Sequence, residues 1–528
     1  MRAPARPLSD RVTTVPFRLP NARSPSWVLA ESVAAAAFSL LSMLVVGRVI
    51  GPHATGVGTV AVSAFLLVEV FGAVLFPDAL VQLPHMARRH ADSATTAAVL
   101  IGAVLGCALA AAAPWLAAGA GAPEVVWLVL ALAPLAPVSA FSGTVSGLLL
   151  REQRFRLLSL RLLVGQALAL VTGLSLAAAG YGAWAMVGSQ VVATAVTFLL
   201  MLKGAASFGL RPRLSVAALR ELWPVAGPQM AGVAVNIGRY RLFLLALGLM
   251  MPQAVLAMSH FAFRLLDAAL GMVWQVSGRL GMPRLCALQH DRHAMAEAYG
   301  DIAELQALLG LPICVGAALV APDMVTELLG PAWAGTAEAT RVVAVAAMAF
   351  VVIGDQASLF VAVGKAGRNF QVAVALLLVP LAALAVFRPE TPFEAAVAWS
   401  VQCLAVPPVL AAVVLRELGR TPGWLARRVA PAATAAASMA AAVAALHATV
   451  ALPPAARLAA SIGLGAVVYA AVAWLALGRR WPRALRTSAP PPADRAAEDR
   501  NPPERAGVRT APRPVEGGIE ARPAANVG

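Results

Sequence analysis

Arg239, Arg241, Arg264 and Asp267 fall within the stretch Trp223–Pro283, where two long apolar runs meet at Met251-Pro252-Gln253. A charged side chain at the centre of a bilayer costs about 2.5–3.5 kcal/mol on insertion scales, so such groups face a bundle interior or a water-filled cavity. The planar guanidinium fork matches phosphate oxygens two at a time. Several arginines in one cavity therefore suit a lipid-linked pyrophosphate or an anionic glycan. Arg264 and Asp267 lie one turn apart and share a helix face, where they partly neutralise each other. Arg239 and Arg241 stand about 200° apart on a helix, which sends one into the cavity and the other elsewhere. For the Arg264/Asp267 pair a structural tie between helices is the competing reading.

Further charges extend the set. Arg48, beside an outer turn, is a candidate for the cavity mouth, with interfacial placement as the alternative. Asp267, Asp355 and Glu69 are acids at membrane depth and suit a coupling proton or cation such as Na+. His260, in a span, is a lesser candidate for proton handling. Arg161 is expected to snorkel to the surface, and Glu31 and Arg341 to sit at the interface.

Composition restricts what these residues can do. Of 528 residues 60% are hydrophobic and 13% charged, and mean hydropathy is +0.76. Soluble domains are about 45–50% apolar and about 25% charged. The net charge of +15 sits between apolar segments rather than in a nucleic-acid-binding patch, as the positive-inside rule requires. Cys107, Cys286, Cys314 and Cys403 are widely spaced and show no metal-ligand pattern. No Walker A loop, HExxH or GxSxG is present. No catalytic residue, metal site or cofactor is expected from these patterns, and without an ATPase of its own any pumping by the chain must draw on an ion gradient, a partner or the substrate gradient.

The elements that position the charges are helices. Apolar runs of about 20 residues cross the hydrocarbon core, and fourteen occur in the chain. They fall near 27–47, 54–76, 94–117, 124–148, 158–180, 182–203, 222–250, 254–277, 302–321, 337–363, 369–387, 393–415, 429–449 and 457–478. Alternate loops hold 33 and 3 of the Lys and Arg residues, which places both termini in the cytoplasm and requires an even number of spans. The resulting organisation is all-α. A basic arm (1–26) precedes a first lobe of six helices (27–203), and a cytoplasmic linker (204–221) leads to a second lobe (222–415). Two added helices (416–478) and a disordered tail (479–528) complete it. The longest outer loop, about Pro322 to Gly335, is too short for an extramembrane domain. A weak internal repeat pairs Pro52 and Ala54 with Pro252 and Ala254, and Phe65 and Glu69 with Phe263 and Asp267. A parallel repeat of this kind predicts two pseudo-symmetric lobes around the charged cavity.

Five segments carry a family resemblance: GRVIGPHATGVGTVAVSAFLLVEVFGAVLFPDALVQ, LLLREQRFRLLSLR, GYGAWAMVGSQVV, RELWPVAGPQMAGVAVNIGRYRLFLLALG and LLGPAWAGTAEATRVVAVAAM. In order and spacing they resemble the polysaccharide-transporter (Wzx-type flippase) family, of the superfamily shared with MATE drug exporters and the lipid II flippase. LMMPQAVLAMSHF departs from that family's glycine- and tyrosine-containing run after span seven, which leaves the second outer turn outside the resemblance. The resemblance implies two six-helix lobes in a V plus two C-terminal helices. It also implies export of undecaprenyl-pyrophosphate-linked oligosaccharide across a bacterial inner membrane by alternating access. Membrane lipids, a polysaccharide polymerase and a chain-length regulator are the partners this implies; nucleic acid is not among them. A MATE-like exporter of cationic drugs and a membrane glycosyltransferase or ligase are the alternatives.

Overall fold

The computed structural model describes residues 25–486, so the basic arm and nearly all of the expected tail lie outside the described residues. Secondary structure among the described residues is helical, without a strand. The first half contains α1 (Pro25–Val74), α2 (Pro77–Gln82), α3 (Arg88–Ala120), α4 (Val125–Leu132), α5 (Leu135–Arg151), α6 (Phe155–Ala178) and α7 (Trp184–Ala205). Next come α8 (Val216–Met250), α9 (Gln253–Ala287), α10 (Arg292–Leu328) and a 3-10 turn at Pro331–Trp333. The second half ends with α11 (Gly335–Val351), α12 (Gln356–Ala362), α13 (Gly367–Phe387) and α14 (Pro392–Leu418). After it stand α15 (Pro422–Thr449), α16 (Pro454–Ala476) and the short α17 (Arg483–Arg486).

Thirteen helical segments among the described residues are long and apolar enough to cross a membrane. The expected spans at 27–47 and 54–76 are the two arms of α1, which breaks at Gly51 (φ 78°, ψ 171°). That backbone conformation is accessible to glycine and strained for residues with a Cβ. Two other expected spans are interrupted rather than continuous, the fourth between α4 and α5 and the tenth between α11 and α12. The linker is shorter than its expected 204–221, because α7 runs to Ala205 and α8 starts at Val216. The outer loop expected at Pro322–Gly335 is largely helix, since α10 continues through Pro322 to Leu328.

Local sequence explains several boundaries. Asp291 opens α10, its Oδ1 accepting from the backbone N–H of His293 (2.9 Å) and Ala294 (3.0 Å). Thr391 and Glu394 form a reciprocal cap on α14, with Thr391 Oγ1 accepting from Glu394 N at 3.2 Å and the carboxylate accepting from Thr391 N at 3.3 Å. Both arrangements satisfy amide groups that the first turn of a helix leaves without partners.

Within the first half α3 packs on α5, α6 on α7, and α1 on all four. In the second half α10 and α14 flank α11, α13 lies against α8 and α14, and α9 packs on α10 and α11. α1 also packs along α8 and α9, which makes it the main joint between the halves. α15 and α16 pair with each other and lie on α10. Hydrocarbon supplies no hydrophobic force between helices, so close approach of small residues decides how tightly they associate. At the α1/α9 crossing a Cβ on Gly56 would lie 1.8 Å from the Gln253 backbone oxygen. Gln253 is itself buried, its Nε2 donating to Ala120 O (2.8 Å) and Gly248 O (3.1 Å). Substitution Gly56→Val is expected to force the helices apart and lower the melting temperature of the purified protein. Overpacking of this kind costs about 1–3 kcal/mol. Gly463→Ala, where an added Cβ meets open space, is expected to leave it unchanged in the same thermal-shift assay.

Candidate functional site

A cavity of about 810 Å3 lies within the second half, walled by α8, α9, α11, α13 and α14 and by the start of α12. Its size falls in the range of about 300–1,000 Å3 typical of small-ligand sites. Arg239, Arg241, Arg264 and Asp267 all line it. The charged side chains on the lining are thus three guanidiniums and one carboxylate, and the cavity is net positive. The expectation that the two halves would share the walls is corrected, because every lining residue comes from the second half.

Arg239 and Arg241 both reach the cavity despite their angular separation, which corrects the expectation that one would turn away. Long flexible stems allow it. Arg239 Nη1 donates to Gln402 Oε1 on α14 at 3.3 Å, and its Nε donates to Asn236 O at 3.3 Å. Arg241 places its guanidinium carbon 5.6 Å from the centre of the Tyr240 ring, within cation–π range. Asp267 acts electrostatically on both arginines.

Behind the charges stands an aromatic cluster. Trp399 of α14 packs against Phe243 (4.9 Å between ring centres), Phe263 (5.3 Å) and Tyr240 (5.6 Å). Tyr240 Oη and His260 Nδ1 are hydrogen-bonded at 2.9 Å. These contacts fix α8, α9 and α14 relative to one another and so aim the guanidinium groups. Trp399 and Gln402 had no signal in the charge pattern. A search for polar and amphipathic residues inside apolar runs would have found them.

The remaining candidates scatter. Glu69, on α1, bonds to Ser139 and lies within electrostatic range of Arg241 without lining the cavity. Its repeat counterpart Asp267 does line it. Asp355 caps α12, accepting from Ser358 N (3.2 Å) and Ser358 Oγ (2.5 Å). The placement of Arg48 at the cavity mouth is corrected: its Nη1 donates to Glu327 O (2.7 Å) and Leu328 O (3.2 Å) at the end of α10. The last carbonyls of a helix lack intrahelical donors, which is why a cation settles there. Arg161 bonds Ser146 Oγ at 2.6 Å rather than extending to the surface. Arg341 donates to Ala318 O at 3.2 Å, and the side chain of Glu31 is outside the described residues.

An all-helical, multi-pass membrane protein with a cationic cavity in one half of its helices is the class defined by fold and site. The chain belongs to the polysaccharide biosynthesis protein family, whose pattern matches residues 45–338. It is 23% identical over 326 residues to the succinoglycan biosynthesis transport protein ExoT of Rhizobium meliloti (strain 1021). That match covers 59% of this chain and 63% of the relative, less than two thirds of the relative's length. The fold is similar to the lipid II flippase MurJ in an inward closed conformation, with a TM-score of 0.71 at 12% identity over 85% of this chain and 98% of that one. It is also similar to an inward-facing multidrug resistance MATE family transporter of the MOP superfamily (TM-score 0.57, 14% identity, 76% and 96% of the two chains). The fold is that of membrane transporters.

Because Arg48 closes α10 and does not touch the cavity, Arg48→Ala is expected to cost stability alone. The loss should be about 0.5–1 kcal/mol, the worth of a cation at a helix C-terminus. Binding of inorganic pyrophosphate, measured by calorimetry on the purified protein, should be unchanged.

Proposed function

We propose that the protein is a flippase carrying undecaprenyl-pyrophosphate-linked oligosaccharide across the bacterial inner membrane by alternating access, for surface polysaccharide such as exopolysaccharide, O-antigen or capsule. The observation that carries this reading is the convergence of Arg239, Arg241 and Arg264 in one cavity of a polysaccharide-biosynthesis family member. A pyrophosphate leaving water needs its charge matched, and guanidinium groups in a protein-walled cavity match it with paired hydrogen bonds. Trp399, Trp274 and Tyr240 on the same walls supply flat apolar faces for sugar rings. The names of the relatives, a succinoglycan transport protein and a lipid II flippase, point to the same substrate class.

In this reading both termini are cytoplasmic, and polymerase and chain-length regulator take over the flipped unit. Asp267 competes with the substrate for the arginines. Proton or Na+ binding at Asp267, with Glu69 as the second acid near Arg241, frees the guanidinium groups for pyrophosphate and couples transport to an ion gradient. A cationic-drug exporter with the same fold is disfavoured by the net positive lining.

The test uses a strain that lacks this protein and has no redundant flippase. Inner-leaflet undecaprenyl-linked repeat units should accumulate and surface polymer should disappear, with wild type restoring both. Arg239→Gln and Arg241→Gln at matched expression should lower export about 10–100-fold, the loss expected when a charge-assisted bond worth about 1.5–3 kcal/mol is removed. Arg241→Lys should recover little, because a point charge lacks the bidentate fork. Normal polymer without accumulated intermediate in the deletion strain would overturn the reading.

A further inference from the structure

A second cavity of about 630 Å3 lies where α10 and α15 begin and α16 ends, away from the first. Five arginines and two glutamates are on its walls, an excess of three positive charges. The arginines divide by their partners. Arg420 donates to Glu297 at 2.8 Å, and Arg428 donates to Asp301 at 2.8 Å and also to Glu297. Both guanidinium groups sit over the Trp424 ring, at 5.5 and 5.7 Å. These two are committed to holding α15 on α10, and Arg483 is engaged with Glu304. Arg427 and Arg480 have no ion pair among the described residues and are exposed.

The rim of this cavity is apolar. Trp481 on the wall makes an edge-to-face pair with Trp474 at 5.9 Å, and the two rings are 66% and 42% exposed. Exposed tryptophans of this kind mark the headgroup level of a bilayer. From Trp474 an exposed apolar strip runs along one face of α16 through Ala471 and Val467 to Leu464. Cations in a pocket, tryptophans at its edge and a greasy strip beside it match the three parts of one ligand.

We propose that this pocket binds the phosphate headgroup of an anionic phospholipid, with Arg427 and Arg480 as its primary contacts and an acyl chain along α16. The walls come from α10, α15, the end of α16 and α17, so the headgroup links the C-terminal helix pair to the second half. A free phosphate ion would satisfy the arginines but leave the tryptophan rim and the α16 strip without a role.

The full chain, purified in a mild detergent, is titrated with dioleoylphosphatidylglycerol, dioleoylphosphatidylcholine or inorganic phosphate and followed by native mass spectrometry and thermal shift. Phosphatidylglycerol should remain bound and raise the melting temperature, while phosphatidylcholine and millimolar phosphate should do neither. Arg427→Gln with Arg480→Gln should weaken phosphatidylglycerol binding about tenfold or more, in line with the pull of juxtamembrane arginines on anionic lipid. Because neither side chain is in an ion pair among the described residues, the lipid-free melting temperature should not move. Trp481→Ala, which leaves all five arginines in place, should weaken the lipid and not the folded state. Arg239→Gln, in the first cavity, should leave this binding at the wild-type level. Equal retention by the double variant, loss of binding in Arg239→Gln, or displacement of the lipid by inorganic phosphate would each overturn the assignment.

Discussion

A guanidinium group cannot be left in hydrocarbon, and much of the second half is arranged to avoid that. Arg239, Arg241 and Arg264 enter a protein-walled cavity in which Asp267, the Gln402 amide and the Tyr240 ring face compensate part of their charge. The charged side chains on the lining remain three guanidiniums to one carboxylate, a net positive wall. The aromatic cluster around Trp399 keeps the three carrying helices in register, so the cost of desolvating the arginines is met by a rigid arrangement rather than by mobile partners.

That cavity belongs to one half, yet an acid from the other half lies within its field. α1 brings Glu69 toward Arg241 while packing along α8 and α9. Polar ties hold the halves at both ends of this joint. At one end are the Gly56/Gln253 crossing and the bond from Gln253 to Ala120 O. At the other, Glu221 of α8 meets Arg89 (2.9 Å) and His90 (2.7 Å) of α3, and Gln229 donates to Asp78 Oδ2 at 3.0 Å. The glycine crossing resists separation through packing, whereas the Arg89–Glu221 pair is half-exposed, and water can replace such a pair at small cost.

The basic residues between spans also tie loops together. Glu417, at the end of α14, gathers Lys365 (2.8 Å) and Arg368 (2.6 Å), and Arg292 donates to Glu417 O at 2.7 Å. These bonds draw three loops together beside the pocket that α15–α17 complete. Near the opposite end of α10, Arg457 at the start of α16 bonds Asp323 with two donors. The C-terminal pair is thus fastened to α10 by ions at both of its ends, with the apolar stretch between them packed by small side chains such as Ala432, Ala435 and Ala436.

How much of this was legible in the chain depends on the range of the interaction. Hydropathy and loop charge delimit the helices, because each spanning segment must satisfy its backbone within itself and so writes its length locally. The same locality made Arg239, Arg241, Arg264 and Asp267 visible as one set, since each violates the apolar pattern of its own run. Interruptions at Ala133–Pro134 and at Val352–Asp355 were read through, as hydropathy averaged over a span does not register a break of one turn. Arg48 was equally conspicuous as a charge, but its partner is the far end of α10, and a capping partner distant in sequence leaves no local mark. That the cavity is walled by α8, α9 and α11–α14 alone, that Trp399 and Gln402 complete it, and that Arg427 and Arg480 meet across about fifty residues of chain followed only from tertiary packing. Composition determined that charges had to be sheltered. Which side chains shelter them was decided by the crossing of helices, where fit between surfaces, not the pattern of any one segment, sets the partner.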